Sequence, residues 1–309
     1  RMTDVKKALK ENGYVVIKNA LDAEEVKTVR KLFWDKLKTL NASIDPSDYK
    51  TWANERWPGD FRTGFVTNHG TAHCEAVWRA RANPKIKAAF AEIWGTDDLI
   101  TSMDAVIMWR PWSKSGKYGY KPPRTEGLHV DQNPEKQTFL CAQGMLVMRD
   151  VTPETGGLEV VPKTHTVEMS KHILSTYGGG GDFCTVSAKD KLWKKKNKLI
   201  EAKAGDFIIW DSRTVHGGLV GTGFDDEYFE GDTSSIDVAR LAFTICMVPK
   251  SLASEDIMKK RKEFFKNGYT STHWPQKCLL GRWPDSNGTK IDRKRSAPIE
   301  LTPEQLALL

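Results

Sequence analysis

The sequence has no long apolar run and no closely spaced pair of cysteines. No stretch of its 309 residues approaches the roughly 20 consecutive apolar residues that a membrane-spanning helix needs. Its first residues also lack the apolar core and small-residue cleavage site of a secretory signal peptide. The five cysteines are odd in number and far apart, which argues against a disulfide framework and a thiolate zinc site. We therefore expect an intracellular, cytoplasmic protein with no membrane partner, whose cysteines are reduced and mostly buried.

Common phosphate-binding and zinc motifs are also missing. The glycine run 178–181 lacks a Lys-Ser/Thr ending and opens no clear helix, so it is interpreted as a flexible loop, or as a lid if it lies near a pocket. His69 and His73 have helical spacing, but no glutamate follows His69 as a metalloprotease motif requires, so ordinary polar contacts are expected. His165 is expected in a turn or beside a metal ligand.

Composition and charge indicate a globular protein with a basic balance. The sequence is 39% hydrophobic and 28% charged, and its formal net charge is +7. Such a balance suits nucleic acid, an anionic membrane surface or a small acidic substrate. The densest basic run, residues 191–198, belongs to no nucleic-acid motif and is interpreted as solvated surface. A small molecule is therefore the expected partner and nucleic acid the less expected one, while the oligomeric state stays open.

Local patterns divide the chain into helical and β-rich regions. Residues 1–98 are expected to form a mostly helical scaffold, residues 99–250 a β core, and residues 251–309 a helical extension. Gly, Pro and Asp turns separate the short apolar segments of the core, which predicts an antiparallel sandwich or barrel rather than βαβ units. No linker or repeat is visible, so the whole chain is expected to form a single domain, mainly β with flanking helices.

Individual helices and strands can be predicted from caps and periodicity. Asp22 followed by Glu25 is typical of a capping box at the start of a helix. Gly95 is expected to end a helix, and Thr302 to begin a short one. The predicted helices are 5–11, one from about residue 23, 83–94, 253–265 and one after Thr302, and the predicted strands are 14–17, 104–109, 138–148, 157–161, 207–210 and 241–248.

Three residues match the ligand pattern of a mononuclear non-haem iron(II) site. Such a site needs two histidines and a carboxylate on one face of the metal, which leaves other positions open. One residue separates His129 from Asp131, so their side chains share a face in an extended chain. His216 follows the predicted strand 207–210 in the sequence WDSRTVHGG, whose glycines allow a close backbone approach. The sequence therefore predicts that these three residues bind one metal ion.

The His-x-Asp pair is weak by itself, and its context gives it meaning. It precedes ETGGLEVVPKTH at 154–165, then AGDF leading to His216, and then Arg240. With these motifs in this order, the sequence resembles the phytanoyl-CoA dioxygenase family of iron(II)- and 2-oxoglutarate-dependent oxygenases, from ENGYVVI at 11–17 to Pro249. The resemblance implies a double-stranded β-helix, which is a jelly-roll or cupin-like barrel.

The resemblance also implies the cofactors and the reaction. His129, Asp131 and His216 would bind iron(II), and Arg240 would pair with the far carboxylate of 2-oxoglutarate, which suits its planar guanidinium. Oxygen would be consumed, ascorbate would serve as the reductant, and 2-oxoglutarate would leave as succinate and carbon dioxide. The substrate would be hydroxylated, cyclised or desaturated.

Two positions depart from the family pattern. Arg240 lies twenty-four residues after His216, farther than the family's usual spacing, behind an acidic, glycine-rich insert at 221–237. Arg213 is therefore the alternative cosubstrate arginine, and the insert is interpreted as a solvated loop or a gate. Gln143 stands where relatives often have an aromatic residue, and it is predicted to hydrogen-bond the cosubstrate.

Two further arginines, Arg110 and Arg124, lie in the stretch leading to His129. If they converge on the pocket, the substrate is an anionic small molecule such as a carboxylate. The other reading is that they are surface arginines beside packed tryptophans. Two alternative functions also stay open: an oxygenase that acts on a protein or nucleic acid, and a non-catalytic barrel that binds a carboxylate.

Overall fold

The scaffold helices begin and end close to the predicted residues in the computed structural model, which describes residues 4–67, 70–281 and 298–309. The Asp22 side chain accepts a hydrogen bond from the backbone N–H of Glu25, and the Glu25 side chain accepts one from the backbone N–H of Asp22, so the predicted capping box is confirmed. Most of the helices precede or follow the β-rich central region of the sequence. They are α1 (Val5–Asn12), α2 (Ala23–Leu40), α3 (Glu75–Arg81), α4 (Pro84–Trp94), α5 (Val167–Tyr177), α6 (Glu227–Glu230), α7 (Glu255–Asn267) and α8 (Pro303–Ala307).

Antiparallel sheets make up most of the remaining regular structure, as the sequence predicted. The first strand has the predicted bounds, and the strands of the central region are short. They are β1 (Tyr14–Ile17), β2 (Phe65–Val66), β3 (Leu99–Thr101), β4 (Val106–Trp109), β5 (His129–Val130), β6 (Ala142–Val147), β7 (Gly156–Val160), β8 (Cys184–Thr185), β9 (Lys198–Leu199), β10 (Phe207–Asp211), β11 (His216–Val220), β12 (Arg240–Thr244) and β13 (Met247–Pro249).

Two larger sheets and one small sheet result from the pairing of these strands. The six-stranded sheet has the order β1-β10-β6-β12-β4-β2, and the five-stranded sheet has the order β8-β5-β11-β7-β9. The remaining pair is β13 with β3. Strand β1 comes from the N-terminal scaffold and pairs with β10, so the helical region is built into the edge of the six-stranded sheet.

The six-stranded sheet is buried on both faces. In β10, Phe207 and Ile209 join the apolar cluster of the helices, whereas Ile208 and Trp210 join the cluster shared with the five-stranded sheet. The ring of Phe207 lies 5.9 Å from that of Phe90 in α4. Coverage on both faces explains why these strands are continuously apolar and do not alternate with polar residues.

The predicted strand 241–248 was wrong in one respect, because it is two strands in different sheets. The backbone N–H of Ile245 still bonds the carbonyl of Gly144 at 2.9 Å, but that of Cys246 bonds the Ser102 hydroxyl at 3.0 Å. The chain therefore leaves the six-stranded sheet between β12 and β13. At the same place a Cβ on Gly144 would lie 2.5 Å from the carbonyl oxygen of Ile245, so only glycine fits.

The cysteines and the remaining histidines have structural surroundings. All five cysteines are free, and four of them are buried. His73 Nε2 lies 2.8 Å from the carbonyl oxygen of Tyr269, and His165 Nε2 lies 2.9 Å from that of Lys10, so both rings make ordinary polar contacts. His69 lies outside the described residues, as does part of the predicted C-terminal extension, residues 282–297. No helix in the described ranges is long and apolar enough to cross a membrane.

Candidate metal centre

The three predicted metal ligands come together where two strands of the five-stranded sheet meet. His129 opens β5 and His216 opens β11, and the two residues are direct partners in the antiparallel register. Asp131 directly follows β5. One potential ligand atom from each residue lies within 4.8 Å of the others, and within the described ranges this is the one such group of histidine, cysteine or acidic residues.

Backbone carbonyls fix the orientation of both imidazoles. Nδ1 of His129 lies 2.9 Å from the carbonyl oxygen of Gly127, and Nδ1 of His216 lies 2.8 Å from that of Thr214. Because a carbonyl oxygen can only accept, each Nδ1 carries the proton and each Nε2 keeps its lone pair for a metal. The Nε2 atoms of His216 and His129 lie 3.2 and 3.8 Å from Oδ2 of Asp131.

The charge states of the site also suit a divalent cation. Burial, helped by the proximity of His216, lowers the pKa of His129 to about 4, so its ring is neutral at neutral pH, as ligation requires. Burial alone would raise the pKa of Asp131, but the neighbouring histidines hold it below its usual range. The site therefore presents a neutral His129 imidazole and the Asp131 carboxylate to a metal, with Nε2 of His216 beside them.

Two side chains outside the five-stranded sheet hold Asp131 in place. Gln143 of β6 donates a hydrogen bond from Nε2 to Oδ2 of Asp131 at 3.0 Å. His273, which follows α7, places Nε2 3.2 Å from the backbone carbonyl oxygen of Asp131. Gln143 thus contacts the carboxylate of a metal ligand, while its predicted contact with a cosubstrate stays a prediction. Sequence reasoning did not find His273, because no local motif marks it.

A pocket of about 460 Å³ opens beside the three ligands, between the two larger sheets. Residues of β4, β6, β10 and β12 form one wall, and residues of β5, β7 and β11 form the other. The first wall contains Ile107, Trp109, Gln143, Met145, Trp210, Arg240 and Thr244, and the second contains His129, Leu158, His216, Gly217 and Gly218.

Arg240 lies in this pocket without an acidic partner among the described residues. It opens β12 as predicted, is only 5% exposed, and stacks its guanidinium 4.5 Å from the ring centre of Trp109. Its Nη2 lies 3.2 Å from the sulfur of Met145. Burial lowers the pKa of Arg240 to about 10, which still leaves it cationic. An unpaired buried guanidinium is costly unless an anion binds to it.

Arg213, the alternative cosubstrate arginine, is already paired. Its Nε and Nη2 bond the two oxygens of Asp211 at 2.9 and 2.6 Å, and its Nη1 bonds the carbonyl of Gln137 at 2.7 Å. It does not line the pocket. The geometry therefore favours Arg240 as the arginine available to a bound carboxylate.

The structure does not bring Arg110 and Arg124 together. Arg110 is buried outside the pocket lining, where its guanidinium stacks 3.9 Å from the ring centre of Tyr120 and donates to the carbonyl of Trp52 at 2.7 Å. Arg124 lines the pocket at its exposed rim, next to Glu126. The condition on which an anionic substrate was expected, convergence of these arginines, is therefore not met.

The loop after α5, and not the acidic insert, reaches the metal ligands. Phe183 is 48% exposed, lines the pocket and packs its ring 4.8 Å from that of His129. Asp182 ties this loop down through Lys136 at 2.7 Å and Lys277 at 2.9 Å. The insert 221–237 packs elsewhere and contributes no residue to the pocket lining.

Contacts between the insert and the segment that follows β4 explain the insert's position. Asp225 accepts from Lys114 at 2.9 Å, and Glu230 accepts from the hydroxyl of Tyr118 at 2.7 Å. The ring of Phe229 stacks on that of Tyr118 at 5.9 Å. The insert is therefore held against the chain segment that follows β4.

Comparisons with known proteins identify the family to which the chain belongs. The family model described as Phytanoyl-CoA dioxygenase (PhyH) matches residues 9–220. Ava biosynthesis cluster protein O of Aspergillus versicolor is 28% identical over 283 residues, which cover 86% of this chain and 84% of that protein.

Solved structures with a similar fold include two non-haem enzymes. The apo form of the non-haem monooxygenase ThoJ superposes with a TM-score of 0.51 at 14% identity, covering 79% of this chain and 77% of that one. The non-haem alpha-ketoglutarate-dependent carbocyclase SnoK from nogalamycin biosynthesis gives 0.51 at 15% identity, covering 80% and 84%. At these identities the likeness shows a shared fold. The family match spans more than half of the sequence, and the chain belongs to the phytanoyl-CoA dioxygenase family of iron(II)- and 2-oxoglutarate-dependent oxygenases.

Proposed function

We propose that this protein binds iron(II) through His129, Asp131 and His216, binds 2-oxoglutarate through Arg240, and oxidises a small molecule in the pocket between the two larger sheets. The proposal is carried by one observation: the same pocket contains a candidate metal site and a buried cation. Three ligand atoms lie within 4.8 Å of each other, and an unpaired buried guanidinium lines the same cavity. A metal and a dicarboxylate would satisfy both.

The residues fit these two groups chemically. Two imidazoles and one carboxylate are the facial ligand set of non-haem iron(II) sites, which leaves coordination positions for the cosubstrate and oxygen. When bound, iron(II) and 2-oxoglutarate would supply the oxidation of a substrate C–H bond, with succinate and carbon dioxide as co-products.

The side chains of this pocket would position and shield the reactants. Arg240 would bond the far carboxylate with its planar guanidinium, held in orientation by the ring of Trp109. The indole Nε1 of Trp210 is buried without a hydrogen-bond partner among the described residues and is a free donor for an acceptor oxygen. Apolar side chains such as Ile107 and Leu158 would exclude water from the reacting atoms.

The proposal includes the architecture implied by the sequence motifs. We interpret the two larger sheets as the halves of a double-stranded β-helix, or jelly roll. The support is an apolar cluster shared by residues of both sheets, such as Ile208 from β10 and Val160 from β7. The metal ligands then lie at the open end between the halves.

Direct binding measurements test the proposed function before any substrate is known. Anaerobic protein mixed with iron(II) and 2-oxoglutarate should develop the visible charge-transfer absorption of the chelate, and the Asp131→Ala variant should not. His172→Ala is a matched control, because that histidine bonds Asp190 outside the pocket. Folded wild-type protein that binds neither iron(II) nor 2-oxoglutarate would contradict the proposal.

Turnover with metabolite pools then identifies the substrate. The protein is incubated under air with iron(II), ascorbate, 2-oxoglutarate and fractionated metabolites, and succinate is quantified against Asp131→Ala. Succinate should rise in one small-molecule fraction and only with the intact ligands. A response confined to protein or nucleic-acid fractions would favour a macromolecular substrate instead.

A further inference from the structure

The pocket has a second polar end, which the metal ligands and Arg240 leave unused. Backbone bonds hold its segments side by side: Ser271 N–H donates to the carbonyl of Met103 at 2.8 Å, and Thr244 N–H donates to that of Ala105 at 3.3 Å. We call this end the Asp104 wall, and its pocket-lining members are Asp104, Thr244, Thr272 and His273.

The Asp104 wall lies away from Arg240. Arg240 and Thr244 are the first and last residues of β12, and alternate side chains of the strand share a face. At about 3.3 Å per residue, their Cα atoms are roughly 13 Å apart. One pocket therefore carries a cation at one end and a carboxyl group at the other.

Asp104 is a buried carboxyl group without an ion-pair partner in the described part of the chain. It is 7% exposed, and its Oδ1 accepts a hydrogen bond from the backbone N–H of Ala105 at 2.7 Å. The nearest guanidinium, of Arg81, donates at 3.4 Å to the backbone carbonyl of Asp104. Burial, helped by the charge of Asp131, raises the pKa of Asp104 to about 7, although the Ala105 N–H, the charge of Arg81 and the Thr244 hydroxyl act in the opposite direction.

The hydroxyl groups beside Asp104 add acceptors to the same wall. Thr244 donates its hydroxyl hydrogen to the carbonyl of Ala105, so its oxygen lone pairs remain available. The hydroxyl of Thr272 is buried and has no hydrogen-bond partner among the described residues. A carboxyl group and two hydroxyl oxygens at one end of a pocket suit a ligand group that donates several hydrogen bonds.

The charge balance of the loaded pocket points to the same kind of group. The two positive charges of iron(II) and that of Arg240 balance Asp131 and the two negative charges of 2-oxoglutarate. At the rim, Arg124 balances Glu126. Of the charged residues described in the lining, Asp104 has no ion-pair partner, and the cation that acts on it, Arg81, lies outside the lining. A substrate with one positive charge would supply an ion-pair partner inside the pocket.

From these contacts we infer that the substrate carries a protonated amino group, which binds Asp104 with the hydroxyls of Thr244 and Thr272 as further acceptors. This inference rests on the proposed function, because the charge balance includes iron(II) and 2-oxoglutarate. It replaces the anionic substrate expected from the sequence by a cationic one. The rest of the substrate contacts apolar residues such as Leu158 and the exposed ring of Phe183.

Matched probes test the inference without knowledge of the natural substrate. Protein loaded with nickel(II), a redox-inert stand-in, and 2-oxoglutarate is titrated by calorimetry with benzylamine, benzyl alcohol, N-acetylbenzylamine and benzoate. Benzylamine should bind at least about tenfold more tightly than the other three, because only it forms a charge-assisted hydrogen bond with a carboxylate. Equal binding of all four probes, or a preference for benzoate, would overturn the inference.

Three variants assign the preference to Asp104. Asp104→Asn should reduce benzylamine affinity about tenfold while 2-oxoglutarate affinity changes less than about twofold. Glu126→Gln, at the exposed rim of the same pocket, is the matched control and should leave the preference in place. Should Asp104→Asn fail to fold, as judged by circular dichroism, Thr272→Val is used and should weaken benzylamine binding severalfold. An unchanged preference in the folded variant contradicts the inference.

The same titrations separate the two proposals. If nickel(II) and 2-oxoglutarate fail to bind wild-type protein, the proposed function is wrong. If both bind but benzylamine is not preferred, only the inference about the Asp104 wall is wrong.

Discussion

The six-stranded and five-stranded sheets of this protein are built differently. The six-stranded sheet is packed between the scaffold helices and the pocket, and its central strands have four to six residues. In the five-stranded sheet, β5, β8 and β9 are two residues long, and the candidate metal-ligand histidines open β5 and β11. Doubly buried strands supply most of the packing energy, whereas short strands supply ligand positions. The difference suggests that stability and metal binding are separable by mutation.

The largest effect is expected from His216→Ala in the five-stranded sheet. Removing one of three protein ligands should abolish iron-dependent turnover and eliminate the rise in melting temperature that bound metal gives the wild-type protein. Melting curves with and without nickel(II), together with succinate assays, measure both. Near wild-type activity in this variant would remove the three ligands from consideration, and a loss of fold would show that the sheets are not separable.

The next effect is expected from Phe243→Ala in the six-stranded sheet. Phe243 is fully buried, and its ring lies 5.3 Å from that of Phe33 in α2. Its truncation should lower the free energy of unfolding by about 3–5 kcal/mol. Val220→Ala, at the partly exposed end of β11, should cost less than about 1.5 kcal/mol. Urea unfolding of the metal-free proteins checks this, and equal losses would contradict the comparison.

Arg240→Ala tests the part of the six-stranded sheet that faces the pocket. Loss of a charge-assisted pair worth about 1.5–3 kcal/mol should raise the Kd for 2-oxoglutarate about 10- to 100-fold and leave metal affinity nearly unchanged. Calorimetry of nickel(II)-loaded protein measures both constants. Arg213→Ala is the matched control, because that guanidinium is already bonded to Asp211. A larger effect in the control would make Arg213 the cosubstrate arginine.

Gln143→Leu is expected to give a smaller change and to sharpen the comparison. Its amide donates to Oδ2 of Asp131, so its loss should weaken metal binding by about tenfold. The 2-oxoglutarate affinity of metal-saturated protein should fall less. If 2-oxoglutarate affinity falls more than metal affinity, Gln143 contacts the cosubstrate, as the sequence predicted. Metal binding would then depend on the five-stranded sheet alone.

Short-range features of the chain could be predicted from sequence. The capping box at Asp22 and the end of α4 at Gly95 depend on residues a few positions apart, and both were confirmed. His129 and Asp131 share a face because they are two residues apart in an extended segment. Helix α5 was missed, because β-branched and hydroxyl side chains such as Val167 and Thr176 favour other local structures.

Long-range features could not be predicted from one sequence. Asp104, Thr272 and His273 reach the pocket through backbone bonds between segments about 170 residues apart, and no local spacing records such a contact. The break between β12 and β13 is likewise set by tertiary bonds to Gly144 and Ser102. Local rules therefore gave the three candidate metal ligands, and the rest of the pocket required the fold.

In the six-stranded sheet, successive side chains face the pocket and the helices in turn, and this alternation affects how the specificity of the enzyme can change in evolution. In β6, Met145 faces the pocket, while its neighbour Leu146 packs with the helices. Ile107 and Met108 divide in the same way in β4. Mutations at the pocket-facing positions can reshape the cavity while the helix-facing positions keep the scaffold intact. New substrate preferences are thus expected to arise by substitution at the pocket-facing positions, while the packing of the sheet on the helices is kept.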